Sequence, residues 1–310
     1  MTAPAWAVPA TFVATRGEGQ REWARSLGAV AAGLAQEWSL APAGDPMWGY
    51  VSVVWPVRGP AGESWVLKLS EDDPRMRAEG LVLRAWQGPG VVELVRHDPE
   101  TGALLLDALD AGRDLEAEPD LDAATELIGG AIARFATVPA PAGVPSLAEE
   151  LRRITSHLLP RRDLAVDGLT RPDFDAALDT LTSVAADIDA HGPWPAVHGD
   201  LHYCNVLHTR AGEPDPGWRV IDPLPSAGPA ELDVIAALRN RWHDALATGD
   251  PERALRRRLD QLVDVAGLDG SLARDLCQAV AVDNVSWILL EKPVKQDQFL
   301  APYRVMASWH

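Results

Sequence analysis

The sequence predicts an α+β fold in two lobes, a small antiparallel sheet with one main helix followed by a larger, mostly helical lobe. Three observations support this prediction. Short runs of β-branched and aromatic residues bounded by turns lie before residue 107, helical periodicity dominates after residue 113, and Asp107–Arg113 shows neither pattern. The expected organisation is therefore a first lobe at 1–106, a hinge at 107–113 and a helical lobe at 114–310.

Each element has a local reason. Gln20–Leu40 places Trp23, Leu27, Val30, Leu34 and Trp38 on one helical face, and Ala41–Pro46 breaks the pattern. Tyr50–Val57 and Ser64–Leu69 read as paired strands around the Gly59–Gly62 turn. Asp72-Asp73-Pro74 opens a helix that runs to about Gln87, because proline is accepted at the first helical position. Two more strands, Val91–Arg96 and Ala103–Leu106, flank the turn at Asp98–Gly102. Helices are expected over Leu121–Val138, Ser146–Leu159 and Pro172–His191, then a hairpin from Asn205–His208 and Trp218–Asp222. Further helices are expected over Ala230–Leu246, Pro251–Val265 and Ser271–Leu290. The basic runs Arg161-Arg162 and Arg256–Arg258 read as solvated helix faces.

Composition narrows the function classes. The 310 residues carry a formal net charge of −17, which disfavours nucleic acid or an anionic membrane as partner and suits a small cationic substrate. Cys204 and Cys277 are the only cysteines, so a disulfide framework is excluded and a cytoplasmic setting is expected. No apolar run approaches a membrane span. Positive charge is almost entirely arginine. Lys68 is the only lysine before Lys292 and Lys295, and a lone ammonium in an apolar strand suggests a point charge with a task.

The densest chemistry lies in Val197–Leu207, where His198, Asp200, His202 and Asn205 fall within eight residues. Phosphoryl transfer uses such a loop: an aspartate accepts the proton of the attacking hydroxyl, and an asparagine five residues on holds a metal. Three other parts would complete the chemistry. Lys68 could touch the phosphates, Glu79 on the following helix could hold Lys68, and Asp222 in Val220-Ile-Asp-Pro223 could join Asn205 as a second Mg²⁺ ligand. Taken singly, a strand lysine or a helix glutamate is usually a surface charge. The order of all five residues, each on the required element, is far more specific.

In these stretches, and in Trp65–Leu69, Glu79–Trp86, Gly102–Leu106 and Ser286-Trp287, the chain resembles the aminoglycoside phosphotransferase family, in its streptomycin 6-phosphotransferase and hydroxyurea phosphotransferase branch. The resemblance implies a protein-kinase-like fold and an ATP- or GTP-dependent kinase that phosphorylates a hydroxyl of streptomycin or a related aminoglycoside, conferring antibiotic resistance. It implies Asp200 as base, Asn205 and Asp222 as Mg²⁺ ligands, Lys68 and Glu79 at the phosphates, and backbone groups near Asp107 and Leu109 at the adenine. It makes His198 a brace and Asp233 a tie for the loop backbone. His202 could reach the phosphates, the acceptor or only the loop. The chain departs from the family pattern at Gly44–Gly49, which is not a G-x-G-x-x-G loop, at Tyr203-Cys204 and at Leu224.

Acceptor recognition is assigned to the helical lobe. Asp283, one turn before Trp287 in an apolar helix, is the leading candidate, because a buried carboxylate needs a cation or donors to offset desolvation and an aromatic neighbour suits a guanidinium. Glu291 and Asp114 are further candidates. Three other readings stay open at this point: a kinase for a choline-like, sugar or homoserine-like metabolite; a non-catalytic nucleotide-binding protein; and a metallohydrolase built on His198, Asp200, His202, His208 and Asp222.

Overall fold

The protein is described by a computed structural model over residues 6–166, 168–291 and 297–309, so Lys292 and Lys295 lie outside the described residues. It forms two compact units, 1–111 with 208–219, and 112–207 with 220–310. The sequence assigns 208–219 to the helical lobe, whereas the structure groups this hairpin turn with the sheet-bearing unit.

The first unit holds helices α1 (Ala10–Ala14), α2 (Glu18–Glu37) and α3 (Pro74–Trp86), with strands β1 (Ala41–Pro42), β2 (Met47–Trp48), β3 (Ser52–Arg58), β4 (Ser64–Ser70), β5 (Leu94–Asp98) and β6 (Ala103–Asp107). The sheet order is β1-β3-β4-β6-β5, antiparallel throughout, with β2 also on β3. Helix α2 ends before Leu40 because Ser39 turns left-handed at φ 57°. Its Leu27, Ala31 and Leu34 pack with Phe12 against Val53, Trp55, Leu67 and Leu69. Strand alternation therefore sends Lys68, between Leu67 and Leu69, to the opposite sheet face, beside Leu104 in register. Helix α3 opens as expected, with the Asp73 side chain accepting from the Arg75 N–H and Pro74 in the first turn. At Gly80 a Cβ would lie 2.7 Å from the His97 ring, so glycine lets α3 sit close on β5 next to Glu79.

The boundaries between units fall within β7 (Asp110–Asp114), β9 (Val206–His208) and β10 (Trp218–Val220). Strand β7 occupies part of the segment that the sequence leaves as an unpatterned hinge.

The second unit holds α4 (Leu121–Phe135), α5 (Leu147–Leu158), α6 (Arg171–Ala190), α7 (Val234–Arg239), α8 (Trp242–Ala247), α9 (Pro251–Ala266), α10 (Gly270–Glu291) and α11 (Asp297–Ala307). Two short strands, β8 (Ala196–Val197) and β11 (Ser226–Ala227), pair antiparallel. Helices α4, α6, α9 and α10 form its core through Ile128, Ile132, Leu181, Leu262 and Val282. The single helix expected over Ala230–Leu246 is broken. Arg241 adopts φ 51°, and its buried guanidinium donates to the Glu118 carbonyl at 2.7 Å and to Asp244 at 2.7 Å. The basic runs are also not simply solvated. Arg161 and Arg258 are 8% and 4% exposed, each drawn into polar contacts that spacing alone does not reveal.

Candidate active site

In the first unit, the Lys68 ammonium donates to both carboxylate oxygens of Glu79 at 2.7 Å. The two side chains are 4% and 1% exposed. A fully desolvated pair is not a stability device in itself, because apolar residues of like volume serve a core at least as well. Burial thus overturns the surface-charge reading of both residues. Asp107 and Leu109 line a cavity of about 820 Å³ with Leu83, Gln87, Glu93 and Glu213. Burial, then the nearby Glu213, pushes the Asp107 carboxyl above its ordinary value.

In the second unit, the loop 198–205 is fixed mainly through its backbone. The Asp233 carboxylate, 2% exposed, accepts from the His198 and Gly199 N–H groups at 2.8 and 2.7 Å, and burial lifts it to about 7. His198 is fully buried, its pKa lowered to about 4 by desolvation, so the ring is neutral at pH 7. Its Nδ1 accepts from the Asp200 N–H at 3.3 Å, which leaves Nε2 to donate to the Ile221 carbonyl at 3.0 Å. One imidazole therefore joins the backbone of Asp200 to that of the residue before Asp222. Asp222 itself sits at φ 56°, an uncommon left-handed position for a non-glycine residue.

Gly199 has φ +77°, and a Cβ there would lie 2.2 Å from the Leu224 carbonyl oxygen. The neighbouring His198 carbonyl accepts from the Leu224 N–H at 2.8 Å, so the two segments cannot separate cheaply. Gly199→Ala is expected to unseat the loop. Measured Tm should fall by several degrees and activity should be lost, whereas unchanged stability would contradict this geometry.

Asn205 donates through Nδ2 to the Asp200 carbonyl at 2.9 Å. Its Oδ1 makes no hydrogen bond among the described residues, which leaves an oxygen donor for a hard cation. One amide and one carboxylate, Asn205 and Asp222, fit Mg²⁺, which completes its shell with phosphate oxygens and water. Among the described residues no group of three or more His, Cys, Asp or Glu side chains is arranged to hold a metal. His208 instead packs edge-on against Trp218, 5.1 Å between ring centres.

The Asp200 carboxylate has two cationic or potentially cationic neighbours. Arg239, at the end of α7, donates to Oδ1, and the His202 Nε2 lies 3.6 Å from Oδ2. Burial alone would raise the Asp200 carboxyl, but His202 and Arg239 outweigh it and hold it below the usual carboxylate range. Arg239 is flanked in turn by the buried Tyr303 of α11. Sequence reasoning missed both residues. The only local signal was a lone arginine ending the apolar run Val234–Leu238.

The arginine sets a pH expectation. Asp200 is ionised throughout the neutral and mildly acidic range, and protonation would remove the base that the family resemblance assigns to it. Arg239→Met removes one of the two neighbours that oppose burial and leaves only His202 beside the carboxylate, so the Asp200 carboxyl rises. The acidic limb of the kcat/KM profile should then move up by about 1–2 pH units. An unmoved limb would exclude Arg239 from controlling the base.

The acceptor candidates are brought together only in part. Arg161 reaches Asp283 at 3.6 Å, Ser286 at 3.0 Å and also Glu291, placing two of the candidates around one guanidinium. Trp287 is 38% exposed. Asp114 accepts from the Ala117 N–H at 3.2 Å and caps a short 3₁₀ turn instead.

Comparison with known sequences decides the family. The sequence model of the aminoglycoside/hydroxyurea antibiotic resistance kinases matches residues 37–290, most of the chain. The chain belongs to that family. As a member of the resistance kinases it is a phosphotransferase with a hydroxyl acceptor. It is 36% identical to streptomycin 6-kinase of Streptomyces glaucescens over 278 residues, 90% of this chain and 88% of the relative. It is 34% identical to hydroxyurea phosphotransferase of Kitasatospora aureofaciens over 286 residues, 90% of this chain and 79% of the relative. Among solved structures, aminoglycoside phosphotransferase APH(4)-Ia matches with a TM-score of 0.54 at 18% identity, over 89% of this chain and 98% of that one. The choline kinase LicA from Streptococcus pneumoniae matches with 0.54 at 12% identity, over 91% and 100%. These two likenesses establish that the resistance kinase has the protein-kinase-like fold. No helix among the described residues is long and apolar enough to cross a membrane.

Proposed function

We propose that the protein transfers the γ-phosphoryl group of ATP to a hydroxyl of streptomycin or a closely related aminoglycoside, in the cytoplasm. The observation that carries the reading is an intact transfer set, Lys68, Glu79, Asp200, Asn205 and Asp222, in a chain 36% identical to a streptomycin 6-kinase over 90% of its length. Lys68, held by Glu79, orients the phosphates. Mg²⁺ at Asn205 and Asp222 would neutralise phosphate charge. Asp200 acts on the hydroxyl mainly by orientation. A carboxylate this acidic cannot deprotonate an alcohol in the ground state, but it accepts the proton as the bond to phosphorus forms late in a loose transition state.

Asp283 is the favoured contact for the acceptor's positive charge. Its Oδ1 is buried without a hydrogen-bond partner, and burial raises the carboxyl above its ordinary value despite Arg161. Arg161 stands 3.6 Å from that oxygen without a hydrogen bond, so a donor on a cationic acceptor is what would complete it. Trp287 and Glu291 accompany it, and Asp114 contributes only if its cap opens. The test is ADP release with Mg²⁺-ATP across streptomycin, hydroxyurea, choline and homoserine. Streptomycin should give turnover well above the rest, and a rate no higher than background ATP hydrolysis would overturn the assignment.

A further inference from the structure

Asp200 is gripped by an arginine for which stability gives little reason. Nη2 of Arg239 donates to Oδ1 of Asp200, and the two side chains are 33% and 35% exposed. An ion pair this open to solvent adds little to folding. The loop does not depend on it either. The Asp233 carboxylate holds the His198 and Gly199 N–H groups, and His198 joins the Asp200 backbone to the Ile221 carbonyl.

Several buried groups nevertheless fix where that guanidinium stands. Arg239 is the last residue of α7, and Val234, Ile235, Ala236, Ala237 and Leu238 before it are all buried. The chain leaves the helix at Asn240, whose carbonyl accepts from the buried Arg258 at 2.8 Å. The next residue, Arg241, turns left-handed and is anchored on the Glu118 carbonyl. From α11, the buried Tyr303 shares a hydrogen bond with the Arg239 side chain. Burial pushes the Tyr303 phenol above its ordinary value, so it meets the arginine as a neutral hydroxyl that accepts. Asp200 and Tyr303 cannot use all the N–H groups of a guanidinium, and part of the side chain stays open beside the carboxylate.

Resting on Asp200 as the base, we propose that Arg239 is a further catalytic residue, which stabilises the charge of the transferring phosphoryl group, and that Tyr303 positions it. A hydroxyl that hands its proton to Asp200 lies about 2.7 Å from a carboxylate oxygen, and the phosphorus it attacks lies about 3 Å farther on. This brings the oxygens of the transferring group within reach of the remaining donors on the guanidinium that holds the carboxylate. In the step, the acceptor oxygen bonds to phosphorus as the bond from phosphorus to the bridging oxygen breaks. ADP leaves with that electron pair, the proton passes to Asp200, and Arg239 stays protonated throughout. The charge spread over the phosphoryl oxygens then meets a cation already in place, which needs no reorganisation as the reaction proceeds.

This role differs from tuning the base in its effect on the plateau of the pH profile. Loss of tuning alone moves the acidic limb and leaves the neutral plateau of kcat in place. Loss of a catalytic arginine lowers the plateau itself. The test measures that plateau with Mg²⁺-ATP in two reactions, transfer to streptomycin and, with no acceptor added, hydrolysis of ATP by water. Arg239→Ala should lower both by about 10²–10³-fold while keeping Mg²⁺-ADP affinity, and millimolar guanidinium chloride should restore part of the loss saturably. Tyr303→Phe, which keeps the core filled, should lower the plateau severalfold even if Arg239→Ala folds poorly. A wild-type plateau in either variant, or a loss that guanidinium does not relieve, would overturn the proposal. Asp200→Asn measured alongside separates the two readings. A wild-type rate in Asp200→Asn removes the base itself, whereas its loss beside an unimpaired Arg239→Ala removes only the role of the arginine.

Discussion

Asp200→Asn should lower the rate of phosphoryl transfer by about 10²–10⁴-fold while leaving the fold and nucleotide affinity nearly unchanged. The substitution preserves shape, and the amide oxygen can still accept from Arg239 in place of the carboxylate. The loop should hold, because His198, Asp233 and Gly199 fix its backbone independently of the Asp200 side chain. What disappears is the loop carboxylate that stays ionised at neutral pH, the group proposed to take the proton of the acceptor. Circular dichroism, Tm and ADP affinity should match wild type, with the loss confined to kcat. A variant that retains full turnover would remove Asp200 from the chemistry, and one that loses nucleotide binding would show that its role is structural.

Lys68→Met should cost about 3–5 kcal/mol of stability, because it leaves the Glu79 carboxylate buried without its cation. The double variant Lys68→Met with Glu79→Leu should recover most of that loss, since a well-packed apolar pair commonly replaces a buried ion pair without penalty. Activity should not return in the double variant. Chemical denaturation and turnover thus move in opposite directions: stability is restored and catalysis is not. This divergence separates a pair kept for phosphate binding from one kept for folding. If the double variant were as unstable as the single, the pair would be part of the architecture of the sheet unit.

Much of the frame was legible because it rests on local signals. The Asp73-Pro74 helix start, the alternation around Lys68 and the apolar faces of the main helices each follow from a few adjacent residues. The cluster of polar groups in loop 198–205 was legible for the same reason, as they fall within eight residues. What escaped depends on contacts between distant segments. Arg241 breaks a helix through bonds to residue 118, and Arg161 is buried by partners at 283–291. Arg239 meets the loop from 39 positions away. Spacing within a segment cannot encode such contacts. An arginine in an apolar helix reads as solvated until the element covering it is known. The short strands β1, β2, β8 and β11 were missed because two residues carry no periodicity.

The most direct test of the central claim is mass analysis of streptomycin after incubation with Mg²⁺-ATP and either the wild-type protein or Asp200→Asn. The wild type should convert the antibiotic to a species carrying one added phosphate, with one ADP formed per molecule modified, and the variant should produce almost none. ADP formed without a phosphorylated acceptor, or equal product from both proteins, would contradict it.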